Sequence, residues 1–162
     1  MKHIFYNIVY GAVCSLTILF VGIFVPRKYF NYENAVFREK SFERGGKLYT
    51  ECHINEWKGK LPDMSKYVKG LLEKKISGNE DEEGLWMLVQ ETCVAETAHY
   101  ILILLSVGMI IIANDAVGFL CALAYALGNV PYIMIQRYNR PRLLKMIGHR
   151  VDRQKRRLEA SA

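Results

Sequence analysis

The chain has 162 residues, of which 51% are hydrophobic and 23% charged, with a net charge of +6, which is one domain's worth of material. A mean hydropathy of +0.04 hides a segregated pattern: the apolar residues gather in three blocks and nearly all the charge lies outside them, which excludes an evenly patterned soluble globule. No nucleic-acid module accompanies the basic excess. The four cysteines, Cys14, Cys52, Cys93 and Cys121, form no C-x-x-C pair, so neither a metal site nor a disulfide framework is implied.

In chain order, residues 5–25, FYNIVYGAVCSLTILFVGIFV, carry no charge, and a helix of that length crosses a hydrocarbon core of ~30 Å. The run is longer than the ~7–15 apolar residues of a signal peptide. It ends at Val25-Pro26-Arg27-Lys28 without a small-x-small cleavage site, so it predicts a retained first transmembrane helix. Residues 26–90 then read as a cytoplasmic interfacial segment. Tyr29, Phe30, Tyr32 and Phe37 suit a headgroup zone, and SFERGGKLYTECHINEWKGKLPD passes a Gly45-Gly46 break into a short amphipathic stretch, anchored by Trp57 and ended by Pro62. MSKYVKGLLEKKI, residues 64–76, predicts a basic amphipathic helix on the membrane surface. An acidic, solvated loop follows over residues 78–84, with the next helix starting near Leu85.

A second transmembrane helix is predicted over 91–113 and a third over 116–136, joined so tightly through Asn114-Asp115 that the two form an antiparallel hairpin. The uncharged part of the second block, 98–113, is too short to span alone. It must extend back through His99 and Glu96, which are costly in lipid unless paired or facing a wet cavity. Residues 137–162 form a basic tail with nine of the 22 lysines and arginines, against Asp152 and Glu159 only. The positive-inside rule places that tail in the cytoplasm and the Asn114-Asp115 turn and the N-terminus outside. The fold expected is an all-α integral membrane protein, a single membrane domain over 1–162, in the cell membrane and in contact with its lipids.

The polar residues at the cytoplasmic mouth converge. On a helix, Glu91, Glu96 and His99 fall within an arc of about 140°, and Glu96 and His99 stand one turn apart. Asn129 and Gln136 share a face of the third span, where Pro131 frees the carbonyl of Leu127. Counted outward from the turn, His99 and Asn129 lie about 15 residues away on either side, at similar depth, and Glu91 falls near the level of Arg137 and Tyr138. This predicts that the glutamates pair with the arginines after the third span. The structural alternative is a clasp of ion pairs holding the hairpin.

With these residues in hand, the chain resembles the glycosyl-4,4'-diaponeurosporenoate acyltransferase family. The most specific segment is NVPYIMIQRYNRPRL, residues 129–143, similar to that family's N-x-P followed by Q-R-Y-N-R-P-R-L. ETCVAETAHY, residues 91–100, is similar to a family stretch, as are VPRKYF at 25–30, SFERGGK at 41–47 and WKGKLPD at 57–63. The resemblance implies an enzyme that places a fatty acyl chain on a sugar hydroxyl of a glycosylated carotenoid or related glycolipid. Its partners would be that acceptor and an acyl donor, with an acyl-CoA or acyl carrier thioester as co-substrate and no tightly bound cofactor.

Acyl transfer needs a base for the hydroxyl proton and donors for the developing oxyanion. His99 fits the base, with Glu96 and Glu91 as the carboxylates beside it. Asn129, Gln136, Arg137, Tyr138, Asn139, Arg140 and Arg142 are the expected substrate-binding residues, the arginines meeting phosphates of the donor. Two other functions fit the same pattern: a membrane methyl- or prenyl-lipid transferase, and a non-catalytic membrane assembly protein.

Overall fold

A computed structural model describes residues 2–62 and 82–161. Among them the chain is helical and contains no strand. The α-helices are α1 Lys2–Phe24, α2 Lys47–Glu51, α3 Ile54–Trp57, α4 Glu82–Leu105, α5 Val107–Ala113 and α6 Ala116–Ser161, with short 3-10 turns at Arg27–Tyr29, Ser41–Gly46 and Lys58–Lys60. Three helical stretches are long and apolar enough to cross a membrane: Lys2–Phe24, Glu82–Ala113 and Ala116–Ser161. The amphipathic helix expected over 64–76, and residues 78–81 of the acidic loop, lie outside the described residues.

Two boundaries differ from the sequence expectation. α4 begins at Glu82 rather than near Leu85, so Glu82 and Glu83 belong to its first turn, where carboxylates face the partial positive charge of a helix N-terminus. α6 continues through the basic tail to Ser161 and passes Pro131 and Pro141 without ending. Its last 20 residues are rich in Arg, Leu and Lys, which are strong helix formers.

The chain divides into two compact units, residues 1–26 with 94–135, and residues 27–93 with 136–162. In the first unit α1 turns a row of residues at helical spacing inward. Asn7 and Gly11 are buried, and a Cβ on Gly11 would sit 2.8 Å from the Met109 methyl and 3.0 Å from the Tyr125 ring. Glycine here permits the close approach of α1 to α5 and α6. At one end His3 Nδ1 lies 3.2 Å from Asp115 Oδ2, which brings the start of α1 beside the Asn114-Asp115 connection. Asn114 ends α5 in the left-handed region, at φ 48°, a conformation that asparagine tolerates better than most residues.

The break between α4 and α5 has a specific cause. Ser106 turns its hydroxyl back onto the Ile103 carbonyl at 2.6 Å, and the Met109 N–H bonds to Ser106 O instead of continuing the α-helical ladder to Leu105 O. A carbonyl released inside an apolar bundle needs another donor. Leu105 O receives the Tyr10 hydroxyl from α1 at 3.0 Å. Gly108 makes room, since a Cβ there would overlap the Tyr10 hydroxyl.

In the second unit, Leu85, Leu88 and Val89 of α4 pack on Leu143 and Ile147 of α6, with Tyr32, Leu144 and Met146 around them. The spacing of three and four on both helices is what one apolar stripe against another requires. Tyr32 also lies against Trp86, with ring centroids 5.6 Å apart. Between the Ser41–Gly46 turn and α2 the backbone runs through three left-handed residues, Arg44, Gly45 and Gly46. Two of the three are glycine, for which positive φ costs little.

The Tyr10 contact yields a prediction. Tyr10→Phe leaves Leu105 O without its hydroxyl donor and should destabilise the folded protein by ~1–3 kcal/mol. Gly108→Ala should destabilise it by displacing the same ring. Because both act through one contact, the double variant should cost less than the sum of the two, as measured by unfolding in detergent micelles.

Candidate functional site

Among the described residues, those expected from sequence divide between a polar cluster in each unit. The cluster in the first unit centres on His99. The imidazole is half-buried, its Nδ1 lies 2.8 Å from Asn129 Oδ1, and its face stacks on Tyr132 at 4.7 Å between ring centroids with 14° between planes. Asn129 is buried and donates from Nδ2 to the carbonyl of Tyr125 at 2.8 Å. Tyr125 in turn donates its hydroxyl to Gly11 O at 3.1 Å, and the same hydroxyl meets Ser15 Oγ at 2.8 Å. Glu96, one turn before His99 on α4, is fully buried and engaged in further polar interaction. A histidine held in plane by a stack and in rotation by a hydrogen bond is preorganised to move a proton at a defined point.

The cluster in the second unit is ionic. Glu43 is buried at 2% exposure and accepts from Arg137 Nη1 through both oxygens, at 2.9 and 3.0 Å. It also accepts the Lys40 N–H at 2.5 Å and the Tyr49 hydroxyl. Burial alone would raise the Glu43 carboxyl. The bonds from Lys40, Tyr49 and Arg137 together outweigh it and hold the group below the ordinary carboxylate value, because each stabilises the charged form.

Arg137 also donates to Val36 O at 2.5 Å. Arg140 is 3% exposed, bonds Phe37 O at 2.7 Å and Thr92 Oγ1 at 2.9 Å, and lies over the Phe37 ring. A cavity of about 270 Å³ opens here, lined among others by Tyr32, Phe37, Arg38, Glu43, Arg137 and Arg140.

Glu91 and Arg137 therefore pair differently from the sequence expectation. Glu91 is buried and bonds Arg27 Nε at 2.6 Å, whereas Arg137 bonds Glu43. Counting residues along two helices cannot reveal partners on the segment that follows α1, which hides Arg27, Glu43 and Tyr49, and Thr92, on α4 itself, carries no charge to mark it.

Of the remaining expected residues, Gln136 is buried and Asn139 half-buried. Tyr138 is buried with its hydroxyl donating to Asn55 Oδ1 at 3.0 Å. Arg142 is exposed and stands 4.9 Å over the Tyr138 ring, with the ammonium of Lys58 at 4.7 Å from the same ring. Tyr125, Tyr132 and Ser15, which build the first cluster, were also missed. Their spacing to His99 and Asn129 becomes visible only once the helices are packed.

The Glu43 network gives a prediction with a definite sign. A carboxyl whose folded value is depressed contributes stability that is fully present above its unfolded value, here 4.5, and is lost as pH falls toward the folded value. Glu43→Gln should abolish that acid-dependent part of the unfolding profile. It should also cost ~3–5 kcal/mol at neutral pH, the usual effect of removing one partner of a buried pair.

Comparison with known proteins gives the chain its relatives. A family model described as glycosyl-4,4'-diaponeurosporenoate acyltransferase matches residues 26–149. Curated proteins of that name are similar throughout: one from Staphylococcus aureus strain MRSA252 is 29% identical over 151 residues, covering 91% of this chain and 89% of its own. One from strain bovine RF122 / ET3-1 is 28% identical over the same length and coverage. No solved structure matches the chain.

Proposed function

The chain belongs to the glycosyl-4,4'-diaponeurosporenoate acyltransferase family, and we propose that it transfers a fatty acyl chain from a thioester donor to a sugar hydroxyl of a glycosylated carotenoid acid or a closely related glycolipid. Family membership makes it an acyltransferase. The observation that carries the catalytic part of the proposal is the His99 imidazole, bonded to Asn129 and stacked on Tyr132.

In this reading His99 accepts the proton of the attacking hydroxyl as its oxygen closes on the thioester carbonyl carbon. The tetrahedral intermediate collapses, the carbon–sulfur bond breaks, and the imidazolium returns the proton to the departing thiolate. Hydroxyl and thioester become ester and thiol, with no other reactant. Glu96, one turn away on α4, balances the transient positive charge on the ring. Glu91, held by Arg27, supports the fold rather than the proton transfer.

The arginines divide in the same proposal. Arg137 and Arg140 spend their guanidinium groups on Glu43, Thr92 and backbone carbonyls, which suits them to hold the segment 36–43 against α6. Arg142 is exposed and stands over the Tyr138 ring, and its guanidinium suits a phosphate of the donor, for which that fork is a good match. Gln136, Tyr138 and Asn139 complete the polar stretch on which the substrates are read. The donor is an acyl-CoA or acyl carrier thioester arriving from the cytoplasm, where the basic end of α6 faces anionic lipid headgroups.

Two experiments test this. With a labelled acyl-CoA and glycosyl-4,4'-diaponeurosporenoate, His99→Ala should lower turnover by roughly 10²–10⁴-fold while the protein stays folded. Arg142→Ala should chiefly raise the half-saturation concentration of the donor, because a contact made equally in ground and transition states leaves the chemical step unchanged. Arg140→Ala should instead lower stability. Undiminished transfer by a folded His99→Ala variant would remove the base assignment. For orientation, an impermeant thiol reagent applied to intact cells should label a cysteine introduced at Asp115 and spare one introduced at Lys155, and the reverse pattern would invert the topology.

A further inference from the structure

We propose that Asn129 is a positioning residue, which locks His99 in the tautomer protonated on Nδ1 and so presents the Nε2 lone pair as the basic atom. The inference rests on the reading of His99 as the base and adds how the base is prepared. It gives Asn129 a task different from contacting the sugar or the oxyanion.

The donor and acceptor at each step follow from chemistry rather than from a chosen orientation. The carbonyl of Tyr125 can only accept, so the Asn129 amide atom 2.8 Å from it must be the amino nitrogen. The amide is planar, which leaves its oxygen toward the ring. The Asn129 atom 2.8 Å from His99 Nδ1 is that oxygen, and an amide oxygen has no proton to give. The hydrogen in this bond therefore belongs to Nδ1. In a neutral imidazole with Nδ1 protonated, the lone pair is on Nε2.

The support behind Asn129 is equally directional. Gly11 O can only accept, so the Tyr125 hydroxyl donates to it, and the Ser15 hydroxyl must then donate to Tyr125. This pins Tyr125 on α6 against α1, and with it the carbonyl to which Asn129 is tied. Tyr132, one turn further along α6 than Gly128 and stacked on the imidazole at 14° between planes, fixes the ring's plane. The amide bond fixes its rotation within that plane. The two restraints together set the direction in which Nε2 points, which a base must have before its substrate arrives.

The experiment reads the tautomer itself. The full-length protein, labelled with ¹⁵N-histidine and held in lipid nanodiscs, is measured above the titration of the ring, with the His99 signals identified by their loss in His99→Gln. The result expected is a protonated Nδ1 and an unprotonated Nε2. Protonation on Nε2, or a mixture of the two forms, would overturn the proposal without recourse to any variant at position 129.

Asn129→Leu should release the preference, and in transfer from a labelled acyl-CoA to glycosyl-4,4'-diaponeurosporenoate it should lower kcat roughly 10- to 100-fold, a share of what a general base contributes, with KM for the acceptor unchanged. A raised acceptor KM with kcat retained would make Asn129 a binding residue and overturn the positioning role. If the expected tautomer is present but His99→Ala transfers acyl groups normally, the base assignment falls while the tautomer lock stands. If the tautomer is wrong but His99→Ala is inactive, the base stands and this inference falls.

Discussion

A polar group inside a bundle that crosses lipid has no water to turn to, so its partner must come from the chain itself. The helices of the first unit are long and apolar enough to meet that constraint, and among the described residues Asn7, whose buried amide has no hydrogen-bond partner, is its exception. The side-chain bonds of this unit repeatedly end on backbone carbonyls: Tyr10 on Leu105, Tyr125 on Gly11, Asn129 on Tyr125 and Ser106 on Ile103. The bonds from Tyr10 and Tyr125 cross between helices, those from Asn129 and Ser106 stay within their own stretch, and Tyr10 and Ser106 both serve the break between α4 and α5. The small residues follow from the same need. Gly11 and Gly108 are where a Cβ would push away the side chains that make these bonds.

In the second unit the constraint is met with full charges. Glu43 and Glu91 are buried to a few per cent exposure and each faces an arginine. Arginine suits this task better than lysine because its planar fork can bridge a carboxylate and a carbonyl at once, as Arg137 does with Glu43 and Val36. A guanidinium used in this way is poorly available to a ligand. That is the physical ground for proposing exposed Arg142 for the donor phosphate rather than Arg140 and Arg137, two and five residues before it, although all belong to one arginine-rich stretch.

Much of this was legible in the sequence, for identifiable reasons. The three apolar blocks mark their helices because a continuous uncharged run is a one-dimensional signal. The similar depth of His99 and Asn129 followed from equal spacing about Asn114-Asp115, and the hydrogen bond between them agrees with it. The partners of Glu91 and Arg137 could not be found that way. Arg27 and Glu43 lie on a segment of turns and short helices, whose path is set by left-handed residues at Arg44, Gly45, Gly46 and His53 and by no periodic pattern. The first apolar block was read through its lack of charge alone. The row His3, Asn7, Tyr10 or Gly11, and Ser15, at helical spacing, was present in the sequence, but its meaning depends on Asp115, Leu105 and Tyr125 more than 90 residues away.

The identity of residue 129 can be understood from its two neighbours. It must give a proton to the Tyr125 carbonyl and receive one from His99 Nδ1, so it needs a donor and an acceptor held in one plane. Aspartate would supply the second contact but would set a carboxylate oxygen against the carbonyl. In a site removed from water that charge would also favour the imidazolium, which cannot act as a base. Leucine or alanine would supply neither contact. Serine and threonine have one rotatable hydroxyl, too short to span both groups from a single backbone position. Asparagine provides both contacts while remaining neutral.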